Sequence, residues 1–209
     1  EQDFNQSALA AFRHQATNCE IYQQYISHLG IDPLEISHYT QIPFLPISFF
    51  KSRRVTSSSK PAEITFSSSG TTGQMTSKHF VQDVSIYENS YNKAFELFYG
   101  SPNEYCILAL LPSYLERDGS SLIYMVDDLL KQSTHLLSGY FLHNHQQLFE
   151  TLQTLKATKQ KTLLIGVTYA LLDFTEQYQI EFPELIVMET GGMKGKRKEM
   201  VRAELHYLL

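Results

Sequence analysis

The feature that most constrains the fold is an alternation of short apolar runs with amphipathic stretches in the second half of the chain. Tyr105–Leu111 and Thr162–Val167 are almost unbroken apolar segments of strand length, and Leu185–Met188 is a third. Runs of this kind belong to strands covered on both faces. Between them the spacing changes to three and four. Residues 120–131 read as a helix. So does His145–Lys156, with Leu148, Phe149, Leu152 and Leu155 on one face, and so do Tyr169–Tyr178 and Arg197–Leu208. Leu136–Leu142 reads as a further strand. Strands alternating with helices at this interval predict an α/β architecture: a layered, mainly parallel sheet flanked by helices.

The first part of the chain follows a different pattern. Leu9, Phe12, Ala16, Cys19, Tyr22, Ile26 and Leu29 recur every three or four residues, which predicts one amphipathic helix over 8–29, capped by Gly30. Ile42-Pro-Phe-Leu-Pro-Ile-Ser-Phe-Phe-Lys51 has two prolines three apart. It is expected to be extended, a connector anchored by its aromatics. Ala62–Phe66 and Lys78–Val81 read as short strands. A helix is predicted from about Asp83, stopped by Gly100. The organisation expected is a 1–60 helix and connector packed on a 61–209 α/β region.

Charge and composition remove several classes of function. Seventeen basic residues against twenty-two acidic ones leave a net charge of −5, which argues against a general nucleic-acid binder. No apolar stretch is long enough to span a bilayer. Cys19 and Cys106 make no disulfide framework, and no export signal is evident, so both are expected to be buried thiols of a cytoplasmic protein. His135, His143 and His145 lack companions for a metal set. Asp127-Asp128, with Lys131 nearby, reads as a solvated face. Lys194-Gly-Lys-Arg-Lys198 reads as a solvent-facing basic run, with steering of a nucleotide or acidic carrier as the alternative.

Two motifs carry chemistry. In Phe66-Ser-Ser-Ser-Gly-Thr-Thr-Gly73, seven of eight residues are glycine or small hydroxyl residues. Such a run can offer several N–H and O–H donors to one anion, and its glycines let the backbone approach a phosphate. Lys78 would add charge. The run lacks the Gly-Lys-Ser/Thr ending of a Walker loop and GxGxxG spacing. In Leu185-Ile-Val-Met-Glu-Thr-Gly-Gly-Met-Lys-Gly195 a strand runs into a glycine-rich loop, and open parallel sheets bind ligands beyond the carboxyl ends of their strands.

Ser68-Ser-Gly-Thr-Thr-Gly73 resembles the phosphate loop of the acid-activating adenylate-forming superfamily, and 185–192 resembles its adenine-contacting Gly-Gly loop. Leu110-Leu-Pro-Ser-Tyr-Leu-Glu-Arg-Asp-Gly119 and Ile165-Gly-Val-Thr-Tyr169 resemble segments beside its acyl pocket. The likeness to the superfamily covers the chain from about residue 30 to its end, and within the superfamily the chain is most similar to the acyl-protein synthetases of bacterial luminescence. The matching features are Ile42-Pro-Phe-Leu-Pro-Ile47 with Phe50-Lys51, the hydroxyl-rich loop, Arg117 before Gly-Ser-Ser121, and Glu189-Thr-Gly-Gly-Met-Lys-Gly195.

The resemblance implies part of the large N-terminal domain of an adenylate-forming enzyme. It implies activation of a carboxylic acid, expected to be a fatty acid, with ATP and Mg2+ to an acyl-adenylate. The acyl group then passes to a thiol of a carrier protein, a reductase or CoA. Ser68, Ser69, Gly70, Thr71, Thr72 and Gly73 would hold phosphates, and Gly191, Gly192 and Met193 would flank the adenine. Thr71, Lys78 and Arg117 are the candidates for catalytic contacts. Departures are also visible: Met75 and Thr76 replace the superfamily's Pro-Lys, and the pocket histidine near Pro112 is missing. The downstream Tyr-Gly-x-Thr-Glu motif that holds magnesium, and the ribose-gripping Thr-Gly-Asp, do not occur. The expectation is therefore an N-terminal part of a longer ligase, inactive alone. The alternatives are an aryl-acid CoA ligase of the phenylacetate type and a non-catalytic nucleotide- or acyl-binding module.

Overall fold

A computed structural model describes residues 2–68, 75–112, 119–191, 193, 195–198 and 200–208. The chain divides into two compact units, 1–86 and 87–209.

The first unit begins with two helices, α1 (Gln2–Asn18) and α2 (Glu20–His28). The single helix predicted over 8–29 is broken at Cys19, which is extended at φ −105° and ψ 101°. Before the break, Thr17 Oγ1 and Asn18 Nδ2 donate to the carbonyls of Arg13 and His14, at 2.9 and 2.8 Å. Polar side chains that back-bond in this way compete with the helical ladder. At the other end Gly30, at φ 67°, donates to the Ser27 carbonyl, and Ile31 donates to that of Ile26. This paired closure ends α2 where the sequence predicts. Phe12, Ala16, Cys19, Tyr22 and Ile26 form the small buried core.

The proline-stiffened connector lies against that core, and Tyr22 Oη donates to the Pro43 carbonyl at 2.6 Å. Its contacts differ from those expected. Ile42 and Leu45 pack on the cluster and Phe49 meets Tyr25, whereas Phe44 and Ile47 face outward. The short helix α3 (Phe49–Ser52) follows. Then β1 (Ile64–Ser67) and β2 (Lys78–Val81) pair antiparallel, with Ser67 opposite Lys78.

The second unit holds most of α4 (Val84–Tyr99), then β3 (Cys106–Leu110), α5 (Ser121–Ser133), β4 (Gly139–Tyr140) and α6 (His145–Thr158). After these come β5 (Thr162–Val167), α7 (Thr168–Thr175), β6 (Leu185–Thr190) and α8 (Arg202–Leu208). The four strands form a parallel sheet in the order β4-β3-β5-β6, so the architecture is the α/β layering the sequence predicts. β3 and β5 are buried along their whole length. Right-handed crossovers place α5 on one face and α6 and α7 on the other. The helix contacts agree with this. Tyr91 of α4 bonds Asp128 of α5 at 2.6 Å, while Phe149 of α6 and Phe174 of α7 both stack on Tyr178.

Four expectations are corrected here. The Leu136–Leu142 segment has only two strand residues, and Leu136 is 98% exposed. β6 extends to Thr190 but is only half-buried, because among the described residues it pairs on one side alone. The last helix starts at Arg202, not Arg197. Asp128 is no solvated charge: it accepts from Tyr91 and from Gln132 in the seam between α4 and α5, while Asp127 pairs with Lys131 at 2.7 Å.

Candidate functional site

In the first unit the hydroxyl-rich run connects the two strands of a hairpin. Ser68 N–H donates to the Ser77 carbonyl, and Ser77 N–H donates to Ser68 Oγ, both at 3.0 Å. This reciprocal pair closes the base of the connection, so Ser68 serves the hairpin with both its backbone and its side chain. Lys78 opens β2, and its side chain is exposed. Ser69, Gly70, Thr71, Thr72 and Gly73 lie outside the described residues, as do Arg117 and Gly192.

In the second unit the strand order defines a place for a ligand. From β3 the chain moves outward to β4, then crosses back over β3 to β5. The direction of winding therefore reverses between β3 and β5. At such a switch point the connections leave the sheet in opposite directions and open a crevice beyond the strands' carboxyl ends. That edge carries Leu111 and Pro112 after β3, Thr168 after β5, and Thr190 and Gly191 at the end of β6.

Several side chains shape this edge. Gly166 lies between Leu110 and Glu189 in the register. A Cβ there would stand 2.6 Å from Leu171 Cγ, so only glycine lets α7 close onto β5 at this height. Thr168, the buried first residue of α7, donates its hydroxyl to the Glu189 carboxylate. Tyr140, at the end of β4, has a buried hydroxyl without a partner among the described residues. Burial, and secondarily the charge of Asp127, push that phenol above its ordinary range.

The segment after β6 is anchored at several points. Gly191 and Gly195 adopt φ 83° and 71°, conformations that favour glycine. Gly191 is exposed. Met193 is 1% exposed and packs with Leu172 and Leu205, which anchors the segment to the core beneath it. Lys196 N–H donates to the Met193 carbonyl at 2.8 Å, and its ammonium lies 5.8 Å from the centre of the Tyr169 ring.

Arg197 leaves the solvent-facing basic run expected of it. Its two Nη atoms bind the two carboxylate oxygens of Glu176 at 2.7 Å, and its Nε binds Asp173 Oδ1 at 2.8 Å. These bonds, to Glu176 first and Asp173 next, raise the guanidinium above its already high range, and Arg197 in turn lowers the Glu176 carboxyl. Sequence reasoning missed this pairing because the partners lie 21 and 24 residues away.

Among the described residues no three His, Cys, Asp or Glu side chains gather to hold a metal, and no helix is long and apolar enough to cross a membrane. Both cysteines are free and buried, as the sequence suggests.

No curated protein and no solved structure matches the chain. A family model does. The model described as "Acyl-protein synthetase, LuxE" matches residues 1–205, so the chain belongs to the LuxE family of acyl-protein synthetases, enzymes of acyl activation.

Proposed function

We propose that the chain takes part in ATP-dependent activation of a carboxylic acid, most naturally a fatty acid, to an acyl-adenylate, followed by transfer of the acyl group to a thiol acceptor. Family membership over 205 residues carries this reading. An open parallel sheet with a reversal of winding, and a glycine loop on its carboxyl edge, support it.

In the first step a carboxylate oxygen attacks the α-phosphorus of ATP in line. The bond to the bridging oxygen breaks, and pyrophosphate leaves with its electron pair. The protein's contribution is positioning and charge stabilisation rather than covalent chemistry. In this reading Ser68, Ser69, Gly70, Thr71, Thr72 and Gly73 bind the β- and γ-phosphates with N–H and hydroxyl donors. Ser68 Oγ, already an acceptor at the hairpin base, still has its own proton to donate. Lys78 and Arg117 supply positive charge. Gly191, Gly192 and Met193 flank the adenine. The apolar ends of β3 and β5 offer walls for an acyl chain. Magnesium would enter as the counter-ion of ATP; among the described residues no cluster of three His, Cys, Asp or Glu side chains stands ready to hold it. In the second step a thiolate of a carrier protein, a reductase or CoA attacks the acyl carbon, and AMP leaves. Cys106 is not that nucleophile, since it is fully buried and its pKa is pushed up to about 11.

The test is acid-dependent exchange of labelled pyrophosphate into ATP by the full-length protein, with acids of varied length and with aryl acids. Thr71→Ala removes one charge-assisted hydrogen bond and should lower exchange by about 10- to 100-fold. Gly73→Ala should lower it as well. Exchange with aryl acids alone would favour a phenylacetate-type ligase. Nucleotide binding without exchange for any acid would leave a binding module.

A further inference from the structure

We propose that Arg197 is a positioning residue for the nucleotide: by bridging Asp173 of α7 and Glu176, which caps that helix, it fixes the glycine loop after β6 in its binding conformation. The inference rests on the reading of that loop as the adenine contact, and goes beyond it by naming what holds the loop.

The loop leaves β6 at Gly191, and the two glycines at positive φ free its backbone to turn in ways other residues resist. That freedom has an entropic cost, because a segment with two such glycines samples many conformations unless it is tied down. The structure provides two ties, both to α7. Met193 packs in one cluster with Leu172 of α7 and Leu205 of α8. Arg197, four residues later, meets Glu176 through a two-pronged fork and Asp173 through Nε and Nη2. The helix receiving these ties is itself rigid: Ala170, Leu171 and Phe174 lie in the main core, and α7 follows β5 without an intervening residue.

A guanidinium fork suits this role better than a lysine would, since its planar donors fix direction as well as distance. The Arg197 side chain is 26% exposed and those of Asp173 and Glu176 are 41% and 62% exposed. Ion pairs so open to water add little to global stability. Their effect falls instead on the local geometry they pin, and a small misplacement of a binding group can cost far more in catalysis than in folding.

The experiment compares wild type, Arg197→Ala, the double variant Asp173→Asn/Glu176→Gln, and the combined triple variant, all in the full-length protein. Three quantities are read: the dissociation constant of a non-hydrolysable ATP analogue, the KM values for ATP and for acid in pyrophosphate exchange, and amide hydrogen exchange of residues 190–198. Arg197→Ala and the double variant should each weaken nucleotide binding and raise the KM for ATP by about ten-fold or more. The KM for acid and the thermal midpoint should hold, and exchange of the 190–198 amides should quicken. The triple variant should be no worse than either, because all three changes break one device. Loss in Arg197→Ala with none in the double variant would overturn the proposal, since Arg197 would then touch the nucleotide itself. So would unchanged ATP binding in every variant, or a loss that tracks a fall in thermal midpoint. A wild type that binds and exchanges while the variants match it overturns this inference alone. A wild type that binds no nucleotide overturns the functional reading, and this inference with it.

Discussion

At the scale of single residues, burial decides what each group can do. Cys106 is buried at the start of β3, and its sulphur accepts from Ser138 Oγ at 3.7 Å. Loss of water raises its pKa to about 11, and the hydrogen bond from Ser138 offsets only part of that. Cys19 is equally inaccessible. Neither thiol should react with a thiol-specific reagent at neutral pH in the native state, and both should react at once in denaturant. A rapid native phase of labelling, followed spectroscopically, would contradict the packing. Gly166 sets a second limit. A methyl group there must displace Leu171 Cγ and Cδ2, at 2.6 and 2.7 Å, within a filled core. Overpacking of this kind costs about 1–3 kcal/mol. Gly166→Ala should lower the urea midpoint, and the double variant Gly166→Ala/Leu171→Ala should lose less than the sum of its parts, since trimming Leu171 makes the needed room.

At the scale of elements, Tyr22 ties α2 to the proline-stiffened connector by one hydrogen bond to the Pro43 carbonyl. Burial raises its phenol to about 12 from an ordinary 10. The folded state therefore keeps this proton where the unfolded chain has lost it. The stability it contributes is full below pH 10 and falls as the pH rises from 10 through 12. Unfolding of the wild type should become easier over that interval, and Tyr22→Phe should flatten that part of the pH profile while costing about 1 kcal/mol at neutral pH. The elements also show what was legible beforehand. β2 spans the residues expected of it, and β5 begins and ends where its apolar run places it, because an unbroken apolar run of this length between polar residues is a local signal. β6 reads as buried because its Leu185–Met188 stretch is as apolar as β5. Its exposure depends on having one neighbour, and the number of neighbours is a property of the sheet, not of the segment. The break at Cys19 turns on hydroxyl and amide groups that bond back to the previous turn, a competition that hydrophobic spacing does not register. Arg197 reads as one of a run of surface cations until α7 brings two carboxylates to it. In the candidate site the glycines were visible in sequence; the groups that hold them were not.

At the scale of the whole molecule, each compact unit has a core drawn from its own stretch of chain. The larger cluster uses residues between Phe95 and Phe182, and a smaller one of Leu172, Met193 and Leu205 adjoins the last helix. The first unit's cluster has five buried members, all between Phe12 and Ile26. A parallel sheet with its central strands fully covered is a complete hydrophobic unit, whereas a handful of buried side chains gives only marginal stability to a short segment. The division falls in the first turn of α4, so a cut at Asp83 keeps that helix with the bond from Ser85 N–H to Asp83 Oδ1 at 3.0 Å, and gives up the bond from Val84 N–H to Glu63 Oε2 at 2.8 Å. A polypeptide of residues 83–209 should therefore unfold cooperatively by circular dichroism, with near-ultraviolet signals from its packed tyrosines intact. Residues 1–82 alone should show helical far-ultraviolet signal with a broad, low-temperature transition. A disordered 83–209 polypeptide would mean that the sheet, for all its apolar strands, depends on the first unit to fold, and the assignment of two self-contained cores would fall.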